Sequence, residues 1–116
     1  MKGFSIPIFL ALLALAPMQA AAATNPAVTA LLTQSREAQV KGDTELALRM
    51  AQAAIVADPA STSAYVALGD LYARAGQSEY ARSYYDAALQ IDPQDAAALR
   101  AIAALATPAQ AASNTP

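Results

Sequence analysis

The chain contains one eighteen-residue pattern twice, and the two copies begin thirty-four residues apart. The first runs from Gly42 to Pro59 and the second from Gly76 to Pro93. They share Gly, Glu, three Ala, Asp and Pro at matching places. A fixed period of this length is typical of helical arrays, in which each unit buries its apolar face only against its neighbours. The period therefore predicts stacked helical hairpins.

Residues that start and stop helices divide each unit into two helices. Asn25 can cap a helix with Pro26 in its first turn, and Gly42 ends that helix. Asp43 or Thr44 can cap the next helix, which stops before an Asp-Pro pair. The second unit repeats this arrangement. We predict five helices, over about 26–40, 44–57, 63–75, 78–90 and 95–105.

The two ends differ in composition from the predicted helical domain, which spans 24–106. Residues 1–23 resemble a secretory signal peptide: Lys2 precedes an uncharged apolar run over 4–16, which is shorter than the roughly twenty residues of a membrane span. We expect cleavage after Ala22 or Ala23 and a periplasmic or secreted mature chain with no membrane insertion. An uncleaved anchor is the alternative. We expect residues 107–116 to form a disordered tail.

The composition argues against catalysis. The chain has no Cys and no His, so it lacks thiolate chemistry, a lipoprotein cysteine, the usual general base and the usual metal ligand. We expect no enzyme activity, no cofactor and no metal site. Asp58 and Asp92 each precede a Pro at a helix end, which indicates turn chemistry. We expect no nucleic-acid binding, because the basic residues of the mature chain are scattered singly. They are Arg36, Lys41, Arg49, Arg74, Arg82 and Arg100.

Apolar residues of the second unit recur at helical spacing on two facing helices. Large rings from one helix are expected to fill against small residues of the other, and Gly69 removes a side chain where the backbones come closest. The stripes are Tyr65, Leu68, Gly69 and Tyr72 in the first helix and Ala81, Tyr85, Ala88 and Leu89 in the second.

These residues resemble the tetratricopeptide repeat family, whose pattern is an aromatic residue, Leu-Gly, Tyr, Ala, an aromatic residue, Ala and a closing Pro. The second unit matches throughout, ending at Pro93. The first keeps only Ala47, Ala54 and Pro59, so we expect looser packing there. The resemblance implies an all-α fold, an α-α superhelix of two repeats, about 28–61 and 62–95, and a C-terminal helix over about 95–105.

The resemblance also implies a function. In this family the first helices of successive repeats line a concave groove that binds peptides or protein segments, which makes this chain a non-catalytic adaptor or assembly factor of the cell envelope. Members that grip a C-terminal carboxylate use Lys, Asn and Arg, whereas Leu32, Val66 and Ala101 stand among those places here. The groove residues carried over are Thr29, Leu32, Arg36, Gln39, Ser63, Val66, Asp70, Arg74 and Arg100.

Three further expectations concern side-chain pairs and the last helix. Tyr80 and Tyr84 are expected to contact the first helix of a neighbouring unit, and Asp70 and Arg74 to pair along one helix. In the last helix we expect Leu99, Ile102 and Leu105 to cover the second unit, which leaves a smooth alanine face. That face suggests contact with another chain, so the alternative function is a structural homo-oligomer with no dedicated ligand. The alanines expected at this face are Ala97, Ala98, Ala101 and Ala104.

Overall fold

The computed structural model describes residues 25–106 and confirms the all-α prediction. This part of the chain forms five helices and no strand. The expected signal peptide and tail lie outside the described residues. The helices are α1 (Pro26–Val40), α2 (Thr44–Ala57), α3 (Thr62–Arg74), α4 (Ser78–Ile91) and α5 (Ala96–Leu105).

Side-chain caps fix where four of these helices begin. Asn25 accepts a hydrogen bond from the amide of Ala27, and Asp43, rather than Thr44, caps α2 by accepting from the amide of Leu46. Ser61 and Asp95 cap α3 and α5 in the same way. Each bond satisfies an N–H that the helix itself leaves unpaired. The turn role predicted for the two Asp-Pro aspartates is confirmed, because their carboxylates accept from the amides two residues on.

One glycine follows the first helix of each repeat, and the two glycines have the same backbone conformation. Gly42 has φ +83° and Gly76 has φ +78°, a left-handed backbone that side chains disfavour. The chain then folds back so that the amide of Asp43 donates to the carbonyl of Ala38, and the amide of Gln77 donates to that of Tyr72. Both glycines therefore make the tight turn between the helices of a hairpin.

The helices stack in chain order. α1 pairs with α2 and α3 pairs with α4, while α2 packs on α3 and α5 packs on both α4 and α3. The buried clusters span both repeats rather than lying within one. One contains Ala38, Ala47, Ala51, Leu68 and Leu71; the other contains Val28, Leu32, Ala54 and Ala64.

In the second repeat, α3 and α4 meet where the ring of Tyr85 crosses Gly69. A Cβ added at Gly69 would lie 2.5 Å from Cε1 and 2.7 Å from Cδ1 of Tyr85. Tyr85 is only 2% exposed, and Leu68 beside the glycine is also buried. The ring thus occupies the space that the missing side chain leaves, as the sequence predicted.

The first repeat replaces this contact with a hydrogen bond. Ser35 stands thirty-four residues before Gly69, is buried, and donates from Oγ to the carbonyl of Ala47 at 2.8 Å. Ala47, Ala51 and Ala54 of α2 are completely buried.

The expectation of looser packing is supported at one end of this hairpin, where a hollow of about 490 Å³ is lined by Ala38, Leu46 and Met50. These residues match Tyr72, Tyr80 and Tyr84 of the second repeat. The backbones of α1 and α2 nevertheless approach each other as closely as those of α3 and α4. Small residues and a buried hydroxyl allow the close approach.

The tyrosines of α4 contact the first helix of their own repeat, and Tyr84 also packs against the cluster that contains Ala38 of α1. The expected contact with a neighbouring first helix stays a prediction for Tyr80. The rings of Tyr80 and Tyr84 each lie 5.5 Å from the ring of Tyr72, and Tyr84 stacks on it within 4° of parallel. Tyr72 and Tyr84 also pack against the cluster that contains Leu68. The three rings therefore close one end of the α3–α4 hairpin.

The burial predicted for α5 is partly wrong. Ala98, expected at the solvent face, is completely buried, whereas Leu99 is 47% exposed. Ala98 stands thirty-four residues after Ala64, which is also completely buried. The same position of the repeat is therefore buried in α3 and in α5. Leu99 matches Tyr65, which is half-buried. Within residues 25–106, α5 is not followed by a second helix as α3 is.

We predict that Gly69→Ala lowers the free energy of unfolding by about 1–2 kcal/mol. Overpacking against the Tyr85 ring costs about 1–3 kcal/mol, which exceeds the gain of about 0.5–1 kcal/mol from replacing a helical glycine with alanine. Urea unfolding followed by circular dichroism measures the change.

The double variant Gly69→Ala/Tyr85→Leu is the control. Without the ring, the added methyl group should cost little relative to Tyr85→Leu alone, so the two substitutions should couple strongly. If Gly69→Ala were as stable as the parent protein, the predicted contact between the ring and the glycine would be contradicted.

Candidate functional site

The three first helices, α1, α3 and α5, enclose a cleft of about 220 Å³ with α3 in the middle. Apolar side chains form much of its wall, and charged groups enter from each helix or its cap. We call it the three-helix cleft. Its lining residues are Leu32, Arg36, Ser63, Val66, Ala67, Asp70, Asp95 and Ala97.

A second hollow of about 380 Å³ lies between α3 and α5, next to the C-terminal end of both helices. Asp70 lines this hollow as well as the three-helix cleft. Arg74, Leu105 and Tyr85 also line the hollow. Asp70 therefore stands where the two concavities meet.

A core residue holds the carboxylate of Asp70. Tyr85 Oη donates a hydrogen bond of 2.7 Å to Asp70 Oδ1 from behind, across the backbone of Gly69. Burial raises the pKa of Tyr85 well above its usual value, and the hydrogen bond to Asp70 and the negative charge of that carboxylate raise it further. The tyrosine thus stays a donor, and its hydroxyl orients the acid at the cleft.

Arg74 does not pair with Asp70, so that expectation is wrong. In the amide orientation that satisfies both partners, Gln39 Oε1 accepts from Arg74 Nη1 at 3.2 Å and from Nε at 3.1 Å. This contact joins α1 to α3, the first helices of the two repeats. Among residues 25–106 the only ion pair closer than 4 Å is Arg82–Asp86, on α4. Arg74 therefore bridges the repeats and makes no ion pair with Asp70.

The structure brings together five of the nine groove residues predicted from the sequence. The three-helix cleft is lined by Leu32, Arg36, Ser63, Val66 and Asp70. The other four lie outside that lining: Gln39 and Arg74 form the bridge between repeats, and Arg100 and Thr29 are exposed.

Asp95 was missed as a cleft residue because its sequence position identified it only as a helix cap. It does cap α5, with Oδ2 accepting from the amide of Ala98 at 2.9 Å. Its other oxygen accepts from Thr62 Oγ1 at 3.1 Å, which ties the start of α5 to the start of α3. The thirty-four-residue period gave a usable hint, since Asp95 matches Ser61, the cap of α3.

The side chains of the three-helix cleft are those of a contact surface. Within residues 25–106, no group of three or more His, Cys, Asp or Glu side chains could hold a metal ion. Over the same range, no helix has the length and apolar character needed to cross a bilayer. The cleft offers an apolar surface, two carboxylates and one guanidinium, which are the groups that recognise a partner by burial and charge.

We predict that Tyr85→Phe, which keeps the ring but removes the donor to Asp70, lowers the free energy of unfolding by about 1–2 kcal/mol. Urea unfolding at pH 7 measures this. Tyr80→Phe is the matched control: Tyr80 is 62% exposed, so its change should stay within about 0.5 kcal/mol. Equal effects of the two substitutions would contradict the assigned hydrogen bond.

The same variant gives a pH test with a definite sign. Because folding raises the pKa of Tyr85, its stabilising contribution is complete below the ordinary tyrosine value of about 10 and is lost as pH rises above it. The stability difference between the parent protein and Tyr85→Phe should therefore be constant from pH 7 to about 9 and shrink above about 10. A constant difference up to pH 11 would contradict the raised pKa.

Comparison with known proteins agrees with the architecture. The family model described as Tetratricopeptide repeat matches residues 32–96, which is more than half of the chain and includes most of both helical hairpins. Among curated proteins, no sequence matches this chain significantly. Domains of the matched family generally mediate interactions between proteins. With its paired helices, its thirty-four-residue period and this match, the chain belongs to the tetratricopeptide repeat family.

Proposed function

We propose that this chain is a non-catalytic adaptor or assembly factor of the cell envelope and that its three-helix cleft binds a peptide or an extended segment of another protein. The observation that carries the proposal is the cleft itself, to which all three first helices contribute. Its lining combines apolar residues such as Leu32 and Val66 with charged side chains from separate helices. A mixed surface of this kind is typical of non-obligate protein interfaces.

A location in the periplasm or outside the cell is part of the proposal. The support comes from residues 1–23, where a positive start, a short apolar run and small residues match a cleavable signal peptide. The absence of Cys is compatible with an oxidising compartment, because no thiol is exposed to unwanted pairing. In this location the partner would be another protein of the envelope.

A structural homo-oligomer is the second candidate, and one observation favours it. Leu99, on the last helix that the structure describes, is 47% exposed. An exposed large apolar side chain on the outer helix of a repeat array is a typical contact for another chain. In this reading α5 joins copies of the protein, and the cleft has no dedicated ligand.

Site-specific photo-crosslinking in cells separates the two candidates. A benzoylphenylalanine is placed at Val66 in the cleft, at Leu99 on α5, or at the exposed Glu79 on α4 as a control, in the full-length chain. Mass spectrometry then identifies the crosslinked proteins. The proposal predicts a product with a different envelope protein from Val66 and none from Glu79.

Crosslinks from Leu99 to a second copy, with none from Val66, would instead establish the homo-oligomer and overturn the adaptor. A charge reversal provides an independent check: Arg36→Glu should reduce partner capture at least about fivefold, whereas the exposed Arg49→Glu on α2 should not. Light scattering of both variants should give the same mass as the parent protein. Equal capture by both variants would contradict binding in the cleft.

A further inference from the structure

We propose that the hollow at the turn end of the first hairpin binds an aromatic side chain of the partner protein. This hollow of about 490 Å³ lies between α1 and α2, and we call it the first-repeat hollow. The inference rests on the proposed function, because it places the aromatic residue on the same segment that enters the three-helix cleft. It gives that segment a second contact site.

The second repeat shows which side chain occupies the matching place. Ala38, which lines the hollow, stands thirty-four residues before Tyr72. The centroid of the Tyr72 ring lies 5.5 Å from those of Tyr80 and Tyr84, and it stacks on Tyr84. The two hairpins have the same helix arrangement, so the hollow remains where the first repeat has a methyl group in place of that ring. The missing group is therefore an aromatic ring.

Two apolar side chains of α2 offer the contacts that such a ring needs. Leu46 and Met50 match Tyr80 and Tyr84, so an incoming ring would meet them as Tyr72 meets the two tyrosines. Leu46 is 38% exposed and Met50 is half-buried, so this chain covers neither completely. Methionine suits this contact, because its unbranched side chain adapts to irregular shapes and its sulfur attracts aromatic rings.

The charged side chains of the hollow favour a neutral occupant. Glu37, Lys41 and Asp43 line it and are all exposed, which places their charges at the rim. A charged side chain of either sign would face at least one like charge there. A neutral ring leaves these charges hydrated, and a tyrosine hydroxyl at the rim could donate to a carboxylate or accept from the ammonium group.

A continuous concave path joins the first-repeat hollow to the three-helix cleft. A concavity of about 280 Å³ on the C-terminal half of α1 shares Arg36 with the cleft and shares Glu37 and Lys41 with the hollow. Val40 also lines this concavity and is 88% exposed. A segment that leaves the cleft past Arg36 can therefore cross Val40 and place an aromatic residue in the hollow.

The methyl group of Met50 provides a direct test. The purified full-length chain, labelled with ¹³C at the methionine methyl groups, is titrated with N-acetyltyrosine amide and separately with N-acetylleucine amide. A bound aromatic ring should move the Met50 methyl resonance upfield, whereas the leucine amide should not. Equal shifts from the two amides, or no shift from the tyrosine amide, would overturn the aromatic preference.

Peptides test whether the ring belongs to a protein segment. They are selected from a random phage library against the full-length chain, and fluorescence anisotropy measures their affinity. We expect Phe, Tyr or Trp at one fixed position, and its replacement by alanine should weaken binding about tenfold.

A charge placed in the hollow should act only on peptides that carry the ring. Leu46→Glu should weaken binding of the aromatic peptide about tenfold but leave its alanine analogue unaffected. Val56→Glu is the matched control, since Val56 is an apolar residue of α2 that is 81% exposed and lies outside the hollow. It should bind both peptides as the parent protein does.

Ala38→Tyr fills the hollow from within. It restores the ring that the second repeat has at this position, so the Met50 methyl should already be shifted upfield in the free variant. Affinity for the aromatic peptide should fall about tenfold, because the site is occupied. Circular dichroism checks the fold; should this substitution at a buried position unfold the chain, the partly exposed Leu46→Glu still decides the question.

The outcomes distinguish this inference from the function on which it rests. Val66→Glu blocks the cleft and leaves the hollow unchanged. Peptides that are lost with Val66→Glu but bind normally to Leu46→Glu would overturn the aromatic site and keep the proposed function. Peptides that need Leu46 but are indifferent to Val66→Glu would support the hollow and count against the cleft. A shift with the tyrosine amide but no enriched peptide would indicate a small aromatic ligand and overturn the assignment to a protein segment.

Discussion

The close contact between the Tyr85 ring and Gly69 is the interaction on which the second repeat depends. It sets how near α3 and α4 approach, because any side chain at Gly69 would overlap the ring. It also places the tyrosine hydroxyl where it donates a hydrogen bond to Asp70, which lines both concavities. One buried ring therefore links hairpin packing to the electrostatics of the candidate binding surface.

The first repeat reaches the same architecture with different chemistry. Ser35 donates to a backbone carbonyl of α2 where the second repeat has a glycine beneath a ring. What the two hairpins share is the requirement for a small residue at this place, together with a left-handed glycine at the turn. The two repeats of this chain therefore share their period and helix arrangement, whereas several of their core residues differ.

The sequence predicted the five helices and most of their ends, because caps, glycines and Asp-Pro pairs act locally. It also predicted the Gly69 contact and, through the family resemblance, five residues of the cleft. Local sequence did not predict which of several possible neighbours a side chain contacts in the folded chain. Arg74 binds Gln39 instead of Asp70, and Ala98 rather than Leu99 is buried. Asp95 joins the cleft only because α5 stacks beside α3, a relation between distant parts of the chain.

The central claim is that α1, α3 and α5 form the partner-binding surface. Nuclear magnetic resonance of the ¹⁵N-labelled chain from residue 24, titrated with a segment of its crosslinked partner, tests it most directly. The account predicts that the largest amide shifts cluster around Arg36, Val66 and Asp70, while the exposed positions of α2 and α4 change little. Shifts centred on α2 and α4, with the cleft unchanged, would contradict it.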